Sequence, residues 1–594
     1  MIKLLSALSV LLLAAWTPVF SASPSPPAAP SFGETMEVNI VNVDVYVTAR
    51  DGNRVTGLKK NDFAIFEDGK PVEVSNFAEL SPPAVVREAP SVPPPVPGET
   101  IVADTGAPVA DPEHRLSLVV FLDNLHLRPE HRTRAVEQIR KFLLRNARAG
   151  DRVMLATYDI NLRTRHPLNE DRGSLDTALR EAETLPSYGQ QEEQARRTAY
   201  DTMLNLYKIS GCSADIIKPV ESYAQQTRAD ALRTLGALGS TISSLSGVPG
   251  RKALLYVSDG ISVTPGEELF EATAAICSGQ AAQMGLPVPA AGADEPDVYN
   301  STQAALDAQQ YSVAKQLEDL AAHASADQVT FYTLQASGLR GYATGDVSYE
   351  SSERLLQVGA IQQIQTNNLK SSLTALAVDT GGRAMLDAND FLPDLARMQE
   401  DFESYYSLSY SLAHAGDGKV HHIEVKMKRP GLRVRYRQSY RDKPTLEKVA
   451  DRTFAALFHG IEDNPLGIAI DIGEITPADG GQYSVPVRLK IPLFKLAILN
   501  RNETYEGKLR LLVATRDEAG GTSSIRQVQV PLSIPRKEVL NALGQYYLYT
   551  LTLRMKPGPQ HVAVAVRDEF AATTSYLSRP VTVGAVSLLQ RRKS

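Results

Sequence analysis

Few residues in this chain have types and spacing suited to chemistry. Asp123-Asn124-Leu125-His126 sets a carboxylate, an amide and an imidazole within one short stretch, directly after the apolar run Leu118-Val119-Val120-Phe121-Leu122. A mixed nitrogen–oxygen donor group of this kind suits a transition metal. The plainer reading is that His126 caps or hydrogen-bonds the helix that follows. His421-His422, followed by Glu424 on an alternating segment, is a second candidate metal pair, read first as an exposed strand edge. Gly338, Gly341 and Gly345 are loop glycines without the strand-to-helix context of a dinucleotide site. Tyr405, Tyr406, Tyr410, Tyr436 and Tyr440 read as packed strand aromatics before they read as a sugar platform. No Gly-x-Ser-x-Gly, His-Glu-x-x-His or phosphate loop occurs.

Composition narrows the classes further. The 594 residues carry a formal net charge of −6, with no global field for nucleic acid or anionic lipid. A hydrophobic content of 43% beside 22% charged residues excludes wholesale disorder. Two cysteines exclude a disulfide-rich scaffold and a thiolate-rich zinc site. Residues 1–23 have the form of a secretory signal: Lys3, an apolar stretch from Leu4 to Ala15, then Ser21, Ala22 and Ser23. No cysteine follows, which argues against a lipoprotein anchor, and no later stretch has the length of a membrane span. The expectation is an exported protein, periplasmic or secreted, with no transmembrane segment in the mature chain. Cys212 and Cys277 are free to pair in such a compartment.

The elements that must position these residues follow from periodicity. Val41, Val43, Val45 and Val47 alternate with polar residues, and Phe63–Phe66 leads into the turn Glu67-Asp68-Gly69-Lys70, so 36–80 reads as a β unit too small to stand alone. A proline-rich linker spans 81–113. From 114 to 403 buried apolar strands alternate with helices, the pattern of a doubly wound α/β sheet. Within it, 261–300 and 338–361 read as surface insertions, and Ala304–Ala324 as one helix. Period-two strands return over 404–440, the last of them Leu432–Tyr440, and are expected to complete the N-terminal β unit. A helical connector at 441–465 and a β-sandwich at 466–585 follow. The fold class is thus α/β plus all-β.

The α/β segment resembles a von Willebrand factor type A domain, and the chain is similar to the bacterial VWFA-related family of acidobacterial genomes. The stretches that carry the resemblance are Asp62-Phe63-Ala64-Ile65-Phe66-Glu67-Asp68-Gly69-Lys70, Val119-Val120-Phe121-Leu122-Asp123, Gly150-Asp151-Arg152-Val153, Gly250-Arg251-Lys252 through Ser258-Asp259-Gly260, and Lys428-Arg429-Pro430-Gly431-Leu432-Arg433-Val434. They cover about residues 36 to 440. The resemblance implies a metal-ion-dependent adhesion site at the carboxyl edge of the sheet, normally opened by Asp-x-Ser-x-Ser. Here Asp123 matches, both serine positions are leucine (Leu125 and Leu127), and Asp259 matches the later aspartate. Thr198 is the nearest threonine equivalent. A hard Mg²⁺ or Ca²⁺ wants about six oxygens, which makes this site degenerate. Asn124 and His126, with Asp123 and Asp259, would instead form a nitrogen–oxygen site.

The leading functional expectation is an exported adhesion-type protein that binds a protein partner of the envelope or extracellular space through Asp123, Asn124, His126 and Asp259. An envelope hydrolase using Asp123, His126 and Asp259 is the enzymatic alternative, although no activated nucleophile is visible. A purely structural envelope component is the third.

Overall fold

The computed structural model describes residues 40–80, 115–148, 150–280, 299–339, 359–412, 414, 416–517 and 522–584. The expected export signal, the proline-rich linker and most of the 338–361 insertion lie outside them. Four strands come first: β1 (Ile40–Thr48), β2 (Phe63–Glu67), β3 (Lys70–Val72) and β4 (Val74–Leu80). The α/β segment supplies β5 (Leu116–Asp123), β6 (Arg152–Tyr158), β7 (Leu162–Asn169), β8 (Arg251–Ser258), β9 (Val329–Gln335) and β10 (Ala384–Met385). Its helices are α1 (Pro129–Asn146), α2 (Arg172–Ala182), α3 (Gly189–Ser210), α4 (Lys218–Leu245), α5 (Glu267–Ala275), α6 (Ser301–Gln309), α7 (Ala314–Ala326), α8 (Gly359–Asp379) and α9 (Leu392–Glu403). Then come β11 (Tyr405–Ser411), β12 (Val420–Met427), β13 (Arg433–Arg435), β14 (Ser439–Arg441) and α10 (Thr445–His459).

The molecule is mixed α/β with several sheets. Strand β5 is buried along all of its eight residues, as the middle of a parallel sheet must be. Its side chains alternate between two helical layers. Leu118, Val120 and Leu122 pack with Val136 and Ile139 of α1 and Leu395 and Met398 of α9. Val119 and Phe121 pack with Leu238 and Ile242 of α4, Leu317 of α7 and Leu373 of α8. The six strands run in the order β10-β9-β8-β5-β6-β7, parallel except for β7, which is antiparallel to β6. The order reverses at β5, and a crevice opens there at the carboxyl ends of β5 and β8.

Strands from the two flanking segments meet in two further sheets, β13-β1-β11-β4 and β14-β12-β2-β3. Val43 lies opposite Leu408 and Ile65 opposite Val425, and both pairs point into one apolar core with Tyr406, Tyr410 and Tyr440. This unit is fastened to the α/β segment at the buried Asp401 of α9, which accepts hydrogen bonds from Arg383 at 2.8 Å and Arg435 at 2.6 Å, with Arg54 at 3.3 Å. One buried carboxylate facing three guanidinium groups stays ionised, since their charges outweigh the cost of its burial.

The remaining strands are β15 (Ala469–Ile472), β16 (Thr476–Pro477), β17 (Tyr483–Pro492), β18 (Leu499–Arg501), β19 (Thr504–Asp517), β20 (Arg526–Pro535), β21 (Tyr546–Met555), β22 (Gly558–Asp568) and β23 (Thr573–Val583). They form two antiparallel sheets around one core of Val485, Val487, Leu489, Leu511, Val513, Val564 and their neighbours. Helix α10 covers the outer face of β19 and β22, where Ala514, Ala563 and Ala565 leave room for Ala456 and Leu457. No helix of the described residues is long and apolar enough to cross a membrane.

Several expectations are corrected. The 261–300 stretch is not a plain surface loop: Leu269 and Phe270 of α5 are fully buried against α3, α4 and α6. The single helix over 304–324 breaks into α6 and α7, because buried Val313 donates its N–H to Val263 O at 2.8 Å and so leaves the helical ladder. Strand β7 is missing from the expected pattern. His166 is buried within it and bonds Val153 O at 2.9 Å and Ser174 Oγ at 2.8 Å. The expected strand 432–440 is two short strands, with β13 on β1 and β14 on β12.

Candidate functional site

Asp123 ends β5, and Asp259 follows the last residue of β8, so neighbouring strands deliver both carboxylates to the crevice. The loop after β5 is held by α3. Tyr188 donates its N–H to Asn124 O at 2.7 Å, and Gly189 donates to Leu127 O at 3.0 Å. A Cβ on Gly189 would stand 2.5 Å from His126 O, so only glycine allows that approach. On the other side Gly260, at φ +110°, lies under the backbone of α8, where a Cβ would meet Leu369 O at 2.6 Å.

Asp123 is completely buried, and its Oδ2 accepts from three donors: Tyr256 O–H at 2.6 Å, His126 Nδ1–H at 2.8 Å and Ser258 O–H at 3.0 Å. Burial alone would raise its pKa, but the His126 charge and these hydrogen bonds outweigh that and hold the carboxyl below its usual range. Burial likewise works against the His126 cation, yet the Asp123 charge and hydrogen bond, with Glu192 and Asp230 behind, push it up to about 9. The two groups form a closed, neutral pair at pH 7.

Asp259 is different. Its Oδ2 accepts from His131 Nδ1–H at 2.7 Å and from the Arg128 N–H at 3.3 Å, while its Oδ1 is buried with no hydrogen-bond partner among the described residues. It borders a small polar pocket with His126, Arg128, Glu192, Glu193 and Glu268. Arg196 crosses the wall in a two-bonded pair with Glu193, at 2.6 and 3.1 Å. Burial pushes the Glu268 carboxyl up to about 7 despite Arg196.

Two chemical consequences follow. The residues at Asp123 do not fit Mg²⁺ or Ca²⁺. Its Oδ2 already accepts three hydrogen bonds, one of them from a cation, and Leu125 and Leu127 have no oxygen to give. Thr198 stands exposed on α3 and donates to Gln194 O at 2.9 Å. Among the described residues, the groups of three or more His, Cys, Asp or Glu side chains close enough to share an ion lie in the two-sheet unit instead. Nor do Ser258, His126 and Asp123 form a hydrolytic triad. Ser258 donates to the carboxylate that also holds His126, so the carboxylate sits where an imidazole would have to be.

Asp123, Asn124, His126 and Asp259 are all buried, and of the four only His126 and Asp259 line the pocket. The charged groups in its lining include Arg128, Glu192, Glu193, Asp259 and Glu268, beside His126. Sequence reasoning missed His131, Glu192, Glu193, Arg196 and Glu268. Charged residues on helices ordinarily face water, so their types gave no signal. Cys212 and Cys277 are joined in a disulfide that ties the end of α3 to the turn after α5, with Cα atoms 5.6 Å apart. Of the strand tyrosines, Tyr405, Tyr406, Tyr410 and Tyr440 are buried and present no platform. His421-His422 is not an exposed edge pair: His421 is buried and His422 alone is exposed.

No protein-family model matches the chain. No curated protein matches it either. Among solved structures, two of proximal thread matrix protein 1 from the mussel byssus are similar to it. One, described with a zinc-occupied MIDAS motif, has a TM-score of 0.20, 10% identity and coverage of 48% of each chain. The other has a TM-score of 0.19, 11% identity and coverage of 48% of each chain. The chain thus spans about half the length of these proteins. A β-glucuronidase of Bacteroides uniformis has a TM-score of 0.14 and 11% identity over 33% of this chain and 20% of its own.

Proposed function

We propose that this chain is an exported protein-binding protein whose α/β segment is a von Willebrand A-type domain that grips its partner without a metal ion. In this reading the domain is inserted in the small β module, the C-terminal sheets are a β-sandwich that acts as spacer or second docking surface, and the adhesion site is degenerate. The observation that carries the reading is the closed pair at the switch point. The carboxylate that would hold an ion is saturated by Tyr256, Ser258 and His126, so a cationic side chain of the protein stands in for the metal charge. Arg128, Glu193 and Asp259 then form the charged mouth that a partner meets. The Cys212–Cys277 bond supports an oxidising compartment.

The test is a crosslinking pull-down from native envelope extract with and without chelator. Capture that persists in chelator and falls at least tenfold with Arg128→Glu supports the reading. Capture that needs added Mg²⁺ or Ca²⁺ overturns it. A second reading, an envelope hydrolase, is favoured by one observation: a buried carboxyl, Glu268, poised near 7 beside the pocket. Turnover of peptides, esters or glycosides that disappears with Glu268→Gln would support that reading over the first.

A further inference from the structure

At one end of the two-sheet unit, well apart in sequence from the switch point, two imidazoles and four carboxylates converge. Glu67 ends β2 and Asp68 follows it; His421 is in β12; His414 and Asp417 come from the segment before it; Asp442 follows β14. The His414 and His421 rings stack with centroids 4.1 Å apart and planes 14° apart. Each ring has one nitrogen held by a carboxylate: His421 Nδ1 by Asp68 at 2.8 Å and His414 Nδ1 by Asp442 at 3.2 Å. That leaves the two Nε2 atoms facing further carboxylates. His421 Nε2 is 3.3 Å from Asp417. His414 Nε2 is 3.6 Å from Glu67, too far for a hydrogen bond, and is buried without a partner among the described residues.

We infer that this cluster is a binding site for a divalent transition metal, with Zn²⁺ as the best fit, held by Glu67, His414 and His421 with Asp417 as a further oxygen donor. One donor atom from each of Glu67, His414 and His421 lies within 4.8 Å of the others, and the same holds for His414, Asp417 and Asp442. Two imidazole nitrogens with carboxylate oxygens are donors that zinc takes readily, whereas a hard cation prefers an all-oxygen set. A metal-bound histidine normally gives its other N–H to a carboxylate, which fixes ring and tautomer, and Asp68 and Asp442 already stand in that position. Glu67 is itself oriented, since its Oε1 accepts from Tyr410 O–H at 3.0 Å and from Tyr440 O–H. Charge points the same way. Four carboxylates face two imidazoles and one nearby ammonium, Lys448, at 3.8 Å from Asp442, so with neutral rings a dication offsets the surplus. An ion here would tie β2, the segment before β12 and the foot of α10 together.

The experiment is calorimetric titration of the chelator-stripped full chain with ZnCl₂ at pH 7.5, backed by metal analysis after gel filtration and by the visible spectrum with Co²⁺. The expected result is one ion per chain. Affinity should fall at least tenfold in His414→Ala and Glu67→Gln and stay unchanged in His422→Ala, whose side chain is exposed. His414 is the more exposed of the two rings, so His414→Ala serves as the test even if His421→Ala does not fold; its near-ultraviolet circular dichroism confirms the fold. No binding, or binding that survives His414→Ala, overturns the inference.

Discussion

His126 and His421 are each held by an aspartate at 2.8 Å, yet the two pairs sit in different solvents. Around His126 the partner Asp123 is completely buried, and every other contact of its Oδ2 is a hydroxyl that the fold supplies. Around His421 the partner Asp68 is 47% exposed, and three more carboxylates compete for two rings. The first arrangement is saturated: the number of donors matches the acceptors, and opening the pair would strand a charge in the core. The second is over-supplied with acceptors and half wet, so an added cation displaces one long contact, His421 Nε2 to Asp417 at 3.3 Å, and gains others in return. A bond of the same length is therefore a structural lock in one place and half of a binding site in the other. Burial and donor count decide which, and neither is visible in the pairing itself.

The largest effect that would sharpen this contrast is His126→Ala. It leaves Asp123 buried without its cation, and breaking a buried pair costs about 3–5 kcal/mol. The urea midpoint should fall accordingly, and Asp123→Asn in the same chain should recover part of the loss. The pair also makes stability pH-dependent. The folded pKa of His126, about 9, lies above its ordinary 6.5, so its contribution is complete below pH 6.5 and fades as pH rises through 9. Asp123, held low, works on the other side: its contribution is present above the ordinary carboxyl range and fades as pH falls through its folded pKa. A flat stability between pH 7 and 10 would break the comparison, since the dry pair would then behave like a wet one.

Glu268 is the next test, because it is a dry carboxyl that lacks a saturating partner. Its folded pKa of about 7 lies above the ordinary 4.5, so the fold favours the protonated acid and loses stability as pH rises from 4.5 through 7. That loss is about 3 kcal/mol for a shift of this size. Glu268→Gln keeps the shape without the titration. Its urea midpoint should be nearly constant from pH 5 to 6.5, where the parent chain declines and the His126 contribution is still complete.

The sheet was legible in the sequence because its central strands are buried on both faces: an unbroken apolar run such as Leu118–Leu122 has few other homes. That made the position of Asp123 at a strand end legible too. The state of Asp123 was not, because Tyr256 and Ser258 come from another strand and nothing local marks them as its donors. Strand β7 was hidden by its charges and by Pro167, which an edge strand tolerates and a central one does not. Helix α5 was hidden because alanine and glycine around it read as loop, while Leu269 and Phe270 owe their burial to α3 and α4. His414 was hidden for the plainest reason: a lone histidine in a loop has no periodicity, and its three carboxylate neighbours at 67, 417 and 442 include two that are far from it in the chain.

A smaller effect belongs to the wet pair. The pKa of His421 is raised: burial works against the cation, but the hydrogen bonds and charges of Asp68 and Asp417 win. Its stabilising contribution is therefore present below pH 6.5 and lost as pH rises through its folded pKa. Because Asp68 is half exposed, solvent screens the pair, and His421→Ala in metal-free buffer should cost no more than about 1 kcal/mol from charge. Added Zn²⁺ should raise the midpoint of the parent chain and leave that of the variant where it was.

The smallest effect is expected next door, and it bears on whether position along β12 or access to the cluster matters. His422 neighbours His421 in sequence, but strand alternation turns its side chain to water. What His422 gives the cluster is its backbone N–H, which donates to Asp68 Oδ1 at 2.9 Å. Alanine keeps that N–H and the strand pairing with Ser439. His422→Ala should therefore shift the urea midpoint by no more than about 0.5 kcal/mol equivalent, with or without Zn²⁺. A clear loss of zinc affinity in this variant would mean that the exposed ring is a ligand, and the ion would then sit on the outer face of the strand and not between the stacked rings.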